Sequence, residues 1–530
     1  MTAILSFLAF TIMVAVISYM ATKGTNEESS DGYFLGGRSL TAGVIAGSLL
    51  LTNLSTEQIV GLNGQAYSEG LLVMAWETLA AIAMVVTAVF LLPRYLKGGI
   101  TTVPQFLEER YDKTTKSITS ALFLSGYAIV FLPIVLYSGS LAISTMFDLP
   151  TMLGISLTAS IWLCVWGIGI IGSIYAIFGG LKAVAVSDTI NAVGLLVGGL
   201  MIPVFGLMHI GDGNMMAGLS TLMAEAPEKF NSIGGSDASV PFATIFTGMM
   251  LVQLFYWGTN QAIIQRALAA KNLEEGQKGL LLAAFFKILG PLIVVLPGII
   301  AYQIFEGNLE MADQAYPKLV STVLPVGLVG FFAAVLFGAI LSSFNSALNS
   351  SVTLFGLDIY KAYINKDADE KTIVKQGKRF GIVLAVLAMF IAPFIANAPD
   401  GLFGYLQEVN GCYSIPILTI IVVGYLTKRV PAIAAKVAIF SGVVLYSISQ
   451  FILKPFVVGA DNYPHFLHVM AILFVLNVSI MLVIGKLKPR EVAFELAYTE
   501  QVDITPYKNL KLFGGAICAI VIFIYIYFAQ

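Results

Sequence analysis

The sequence predicts an all-α integral membrane protein of about fourteen transmembrane helices. Three observations carry this expectation. Only 11% of the 530 residues are charged, against about 25% in an average soluble domain, so charge cannot cover a water-facing surface of this size. Apolar runs of about 18 residues or more, long enough to span a bilayer, recur from one end to the other. Basic residues alternate with the spans. With the N-terminus outside, the 29 Lys and Arg fall in inner loops except for Lys229, Lys318 and Lys454 outside and Lys287 within a span, as the positive-inside rule requires.

The elements follow in order, between charged or Gly/Pro-marked breaks. The first run, residues 4–22, lacks a basic leader and a small-residue cleavage site, and Lys23 follows it. It reads as a retained helix, not a signal peptide. Runs at 41–66 and 71–93 come next, the first holding a polar patch and the second Glu77. Runs at 118–146, 152–177 and 183–210 precede the longest outer loop, 211–239, rich in Gly, Asn, Asp and Ser. The run at 240–265 carries aromatics and amides, 277–304 carries Lys287, and 325–360 carries a serine pair. After the most basic inner loop, 361–378, come 379–396, 400–425 with Gln407 and Glu408, 431–453, 464–485 and 512–529. No soluble domain, low-complexity segment or visible sequence repeat appears. Cys164, Cys412 and Cys518 lie in apolar runs without disulfide or metal spacing, and His465 and His468 form no zinc motif.

Ionised groups inside a bilayer are costly and need a function or a partner. Glu57, Glu77, Lys287 and Glu408 pose that question, whereas Asp188 and Asp358 lie nearer helix ends. The patch Thr52-Asn53-Leu54-Ser55-Thr56-Glu57-Gln58 reads as a break in a helix, because short polar side chains compete for backbone hydrogen bonds. Packing through small polar residues explains a few such positions, not a run of them. Carbonyls freed by a break can hold a cation. Ala339, Ser342 and Ser343 share one helix face and offer oxygens to a hard cation. Taken alone, a serine pair reads more readily as helix packing. The segment Gln253-Leu254-Phe255-Tyr256-Trp257-Gly258-Thr259-Asn260-Gln261 joins aromatic faces to amides, the combination that binds a sugar's C–H face and hydroxyls. No Arg is expected inside any span.

At these residues the chain resembles the sodium/solute symporter family. Tyr175-Ala176-Ile177-Phe178-Gly179-Gly180-Leu181-Lys182-Ala183 matches its signature, as do Ser48-Leu49-Leu50 and the run Asn53–Gln58. The resemblance extends over nearly the whole chain and points to the sugar branch, near its bacterial sodium/galactose members. It implies a LeuT-type inverted-repeat core of five plus five helices, with one extra N-terminal and three extra C-terminal helices. The chain then divides into 1–40 (extra helix and inner loop), 41–210 (first repeat), 211–239 (outer loop), 240–425 (second repeat) and 426–530 (three helices). The first helix of each repeat would be broken, at Thr52–Gln58 and Tyr256–Asn260.

By resemblance, sodium, the coupling ion, is held by the carbonyls of Leu51, Leu54 and Ala339 and the hydroxyls of Ser342 and Ser343. The sugar is held by Gln58, Glu77, Gln253, Lys287 and Gln407, with Asn53 and Trp257 nearby and Tyr256 stacking as an inner gate. Asp188, Asn345 and Ser346 lie where some relatives hold a second sodium. Gln253 replaces an expected Asn, and Ala80 an expected Ser, departures that bear on galactose itself. The implied activity is sodium-coupled sugar symport across a bacterial inner (plasma) membrane, with both termini outside. The partners are the sugar, sodium and the bilayer, with no nucleic acid and no catalysis. Rival solutes are an inositol, a sialic acid or an amino acid; proton coupling and a membrane-embedded transferase are rival functions.

Overall fold

The computed structural model describes residues 2–22, 29–397, 402–459 and 462–529. The expected inner loop at Lys23–Glu28 and the start of the run at 400 lie outside the described residues, as do the side chains of Ile177–Gly180 in the signature segment. The described residues are helical apart from connecting segments and one isolated backbone bridge between Leu40 and Ala270. That is what lipid demands, since a helix satisfies its own backbone polar groups.

The expectation of fourteen spanning helices is corrected. Among the described residues ten helices are long and apolar enough to cross a membrane, eleven if the bent pair Leu273–Ile288 and Gly290–Ile304 is one span. The first run forms the helix Thr2–Thr22, of which Leu5–Met20 is the apolar part; the physical origin of the difference lies in two other runs. The runs at 41–66 and 240–265 each split into two short helices, Ala42–Asn53 with Thr56–Glu69 and Gly248–Gly258 with Gln261–Leu268. An apolar run measures what lipid tolerates; it does not report whether the backbone ladder is continuous.

The helix Val326–Thr353 is buried along most of its length and packs against the long helical stretch Leu157–Ile210. Lipid gives helices no hydrophobic drive to associate, so close backbone approach through small residues does that work. A Cβ at Gly338 would stand 2.5 Å from the Asn191 side chain, and one at Gly47 would stand 2.9 Å from the Thr189 backbone. These contacts bring Ala42–Asn53, Leu157–Ile210 and Val326–Thr353 together around the first break.

Beyond Leu487 the chain runs without regular structure to Leu510. It ties distant helix ends together: Phe494 N–H donates to the Lys428 carbonyl (2.9 Å), Thr499 N–H to that of Lys97 (3.1 Å), and Leu273 N–H to that of Asp503 (2.9 Å).

Candidate functional site

The first break leaves backbone oxygens free. The helical ladder ends with Leu54 N–H donating to the Leu50 carbonyl (2.7 Å) and restarts with Ile59 N–H donating to that of Ser55 (2.9 Å). The carbonyls of Leu51 to Leu54 belong to neither ladder. Leu51, Leu54, Ala339, Ser342 and Ser343 are all buried. The serine pair meets the break directly: Ser343 Oγ donates to the Thr52 carbonyl (2.9 Å), and Ser342 Oγ lies 3.3 Å from Thr52 Oγ1. The serine pair expected to hold sodium thus meets the first break, at Thr52, in a dry place. The set is all neutral oxygens, the donors an alkali ion accepts.

The second break has a different chemistry. Thr259 N–H and Asn260 N–H both donate to the Phe255 carbonyl (2.9 Å each), and the ladder restarts on the Asn260 carbonyl. The Asn260 side chain caps the new helix by accepting from Ala262 N–H (3.0 Å), which satisfies a donor left over at a helix start. Tyr127 reinforces it, donating to Asn260 Oδ1 (2.7 Å) and accepting from Ala262 N–H (3.0 Å).

Between the two breaks lies a narrow cavity of about 30 Å³, lined by Thr52, Glu57, Gln58, Tyr127, Phe131, Phe255, Tyr256, Asn260, Ala262, Ile263, Phe403, Leu406, Gln407, Asn410 and Tyr413. Gln58, Tyr256 and Gln407 of the expected sugar ligands line it. Asn53, Glu77 and Lys287 stand behind Gln58 in a polar relay. Asn53 Nδ2 donates to Gln58 Oε1 (2.9 Å), Gln58 Nε2 to Glu77 Oε1, and Lys287 Nζ to Glu77 Oε2 (2.5 Å). Glu77 and Lys287 are wholly buried, which two charges tolerate only as a well-bonded pair. Gly290 makes the room, since a Cβ there would stand 2.3 Å from Glu77 Oε2.

Two expected ligands are placed away from the cavity. Gln253 Nε2 donates to the Trp76 carbonyl (2.8 Å), and its Oε1 accepts from Trp257 Nε1 (3.2 Å). Trp257 is fully buried, its ring 5.7 Å from Lys287 Nζ. The sequence showed an aromatic and amide cluster but not its rotation: only Phe255, Tyr256 and Asn260 of that segment face the cavity. Conversely, Glu57 lines the cavity although only its neighbour Gln58 was expected to bind; an acid in an apolar run was its signal. Tyr127 and Phe403 gave no signal, because aromatics are ordinary in apolar runs; Asn410 and Tyr413 were signalled by the polar pair Gln407-Glu408 just before them.

Of the residues expected at a second sodium, Asp188 and Ser346 both reach Thr52 Oγ1, at 3.5 and 3.2 Å. Asp188 Oδ1 and Asn345 Oδ1 are buried without a hydrogen-bond partner. A guanidinium also sits at this place. Arg266, expected in an inner loop, is wholly buried on the short helix Gln261–Leu268 with Nη2 3.8 Å from Asp188 Oδ2, so its placement in a loop is corrected. Glu408 is likewise not isolated in lipid. It pairs with Lys454 (2.6 Å) and lines a separate cavity of about 850 Å³ with Gln65, Glu69, Trp76, Asp313 and His465. The rings of Trp76, in that vestibule, and Phe403, in the central cavity, meet edge-on at 5.2 Å.

Residues 33–442 match the model of the sodium:solute symporter family. The chain is 50% identical over 509 residues to an uncharacterized symporter, YidK, of Escherichia coli K12, covering 96% of this chain and 88% of that one. It is 36% identical to the sodium/glucose cotransporter of Vibrio parahaemolyticus (83% and 84% covered) and 28% identical to the sodium/myo-inositol cotransporter 2 of Oryctolagus cuniculus (93% and 78%). These names span more than one solute and support the family, not one particular sugar. Among solved structures, a Na+-coupled sialic acid symporter aligns with a TM-score of 0.78 at 19% identity, covering 93% of this chain and 99% of that one. Mhp1 in a closed conformation aligns at 0.55 and 15% identity, covering 90% and 97%. The fold is a LeuT-like inverted-repeat core in a multi-pass membrane protein, and its work is sodium-coupled transport of a small polar solute, not catalysis. The chain belongs to the sodium:solute symporter family.

Proposed function

We propose that the solute is a neutral polyhydroxylated molecule, a sugar or an inositol. One observation carries this reading. The central cavity presents the carboxyl of Glu57, the four amides of Gln58, Asn260, Gln407 and Asn410, and the hydroxyls of Thr52, Tyr127, Tyr256 and Tyr413, beside the rings of Phe255 and Phe403, and no Lys or Arg is among the described residues that line it. Hydroxyls need paired donors and acceptors, and a sugar's C–H face needs an aromatic one. An anionic solute, such as a sialic acid, would need a cation there. Lys287 is committed to Glu77 and Arg266 to its own partners. The relatives named for glucose and myo-inositol agree with the reading.

In this reading Gln58, Glu57, Gln407 and Tyr256 touch the solute, with Asn53, Glu77 and Lys287 setting the orientation of Gln58. Sodium binds the carbonyls of Leu51, Leu54 and Ala339 and the hydroxyls of Ser342 and Ser343, fastening the broken helix to the serine helix. That fixes Gln58 four residues beyond the break, so sodium raises solute affinity and the solute raises sodium affinity by the same factor. The Trp76–Phe403 pair closes the vestibule side, and the Tyr127–Asn260 bond closes the other. Low internal sodium and the membrane potential, about 2.3 kcal/mol per charge per 100 mV, then favour inward release. The setting is a bacterial inner membrane with both termini outside, in keeping with the bacterial relatives and the loop charges.

The test is competition against sodium-driven uptake in proteoliposomes. Labelled D-glucose and myo-inositol are the probes; sialic acid and neutral amino acids are the competitors. Inhibition by unlabelled sugars or inositols alone supports the reading, and transport of sialic acid with neither polyol accepted overturns it.

A further inference from the structure

Arg266 has no part in the transport steps above, yet it is wholly buried. A desolvated guanidinium persists only where its donors are taken up. Nε donates to Ser48 Oγ (2.8 Å), one Nη to Ser346 Oγ and the other to the Ala262 carbonyl, with Asp188 Oδ2 at 3.8 Å. Ser48, Ser346 and Asp188 belong to Ala42–Asn53, Val326–Thr353 and Leu157–Ile210, whereas Ala262 lies one turn back on Arg266's own helix, Gln261–Leu268. Ala42–Asn53 and Gln261–Leu268 are the halves of the interrupted helices on the same side of their breaks.

The contacts continue in both directions. Asp188 Oδ2 accepts from Ser48 (2.7 Å) and Thr52 (3.5 Å), Thr52 Oγ1 meets Ser342 (3.3 Å), and Ser343 donates to the Thr52 carbonyl (2.9 Å). That path ends on the serine pair. In the other direction Ala262, whose carbonyl Arg266 holds, lines the solute cavity and bonds Tyr127 through its N–H (3.0 Å).

We infer that Arg266 is a positioning residue that clamps the two inner half-helices together while the sodium oxygens are assembled, so that neither sodium nor solute crosses alone. The clamp joins the two sites by a packed, hydrogen-bonded route, and both would bias whether it holds. Losing it leaves the serine pair and the solute ligands in place but frees the helix that forms the cavity floor.

This inference rests on the sodium-coupled reading but not on which solute is carried, because its test uses sodium alone. Purified wild type, Arg266→Gln, Arg266→Lys and Ser48→Ala are reconstituted, and ²²Na+ entry is measured with no solute present. Wild type should stay at the level of empty liposomes. Arg266→Gln should leak roughly tenfold faster, Ser48→Ala should leak less because it removes one acceptor, and Arg266→Lys should restore part of the seal. The ratio of sodium to solute taken up should rise in the same order. Should Arg266→Gln fail to insert, Ser48→Ala, which keeps the charge pair, still decides. A wild-type seal with an unchanged sodium-to-solute ratio in Ser48→Ala and in whatever Arg266→Gln inserts would overturn the inference, as would parallel losses of leak and uptake.

Discussion

At the residue scale, the buried pair of Glu77 and Lys287 gives the sharpest test of the proposed solute site. Both side chains are fully buried and bonded at 2.5 Å. Glu77→Gln should strand the ammonium, at a cost of about 3–5 kcal/mol, read as a lowered melting temperature in detergent. The double variant Glu77→Gln with Lys287→Met removes both charges and should recover most of that stability. It should still lose uptake, because a neutral amide at position 77 accepts from Gln58 more weakly than the carboxylate and no longer has the Lys287 ammonium to orient it. Recovery of uptake together with stability would show the pair to be structural only. The sequence made both residues legible, since charges in apolar runs are conspicuous. It did not reveal that they pair with each other, because partners 210 residues apart carry no local signature.

At the element scale, the two interrupted helices matter most. Their positions were legible: the polar run at Thr52–Gln58 and the Gly258-Thr259-Asn260 segment mark where the ladders stop. Their consequence for the span count was not, because an apolar run looks the same over one helix or two. Nor was the rotation of Gly248–Gly258, which turns Tyr256 to the cavity and Gln253 and Trp257 away from it. Asn260→Ala removes the cap and one acceptor of Tyr127. It should cost about 1 kcal/mol and raise solute exit in a counterflow assay more than it lowers binding; equal changes in both would argue against a gating role. Gly290→Ala tests the bend by which Lys287 reaches Glu77. Its methyl would meet Glu77 Oε2 at 2.3 Å, so about 1–3 kcal/mol of stability should go, with loss of uptake. An unchanged melting temperature would show that the neighbouring helix shifts freely.

At the scale of the whole molecule, composition and loop charge made a multi-helix membrane protein legible. Arg110 and Arg266 show where that reading stops. Both fell to inner loops by charge counting, yet both are wholly buried and consumed by internal contacts. Arg110 donates to the carbonyls of Gly424, Val430 and Thr427. A rule that counts charges by segment does not see tertiary folding at a helix end. The expected orientation puts the exposed Glu228 outside and the exposed Lys371 inside. A single cysteine at each should therefore react with an impermeant maleimide from opposite sides of intact cells, and labelling of both from one side would contradict the topology.

The account turns on the oxygens that Ser342, Ser343 and the broken helix bring together. The direct measurement is a sodium titration of solute uptake by wild type and by Ser343→Ala, with choline as the replacement ion. The account predicts saturable sodium activation in wild type and a half-saturating sodium concentration raised roughly tenfold or more in the variant, the loss of one buried polar ligand. Superimposable titrations, or equal uptake in choline, would contradict it.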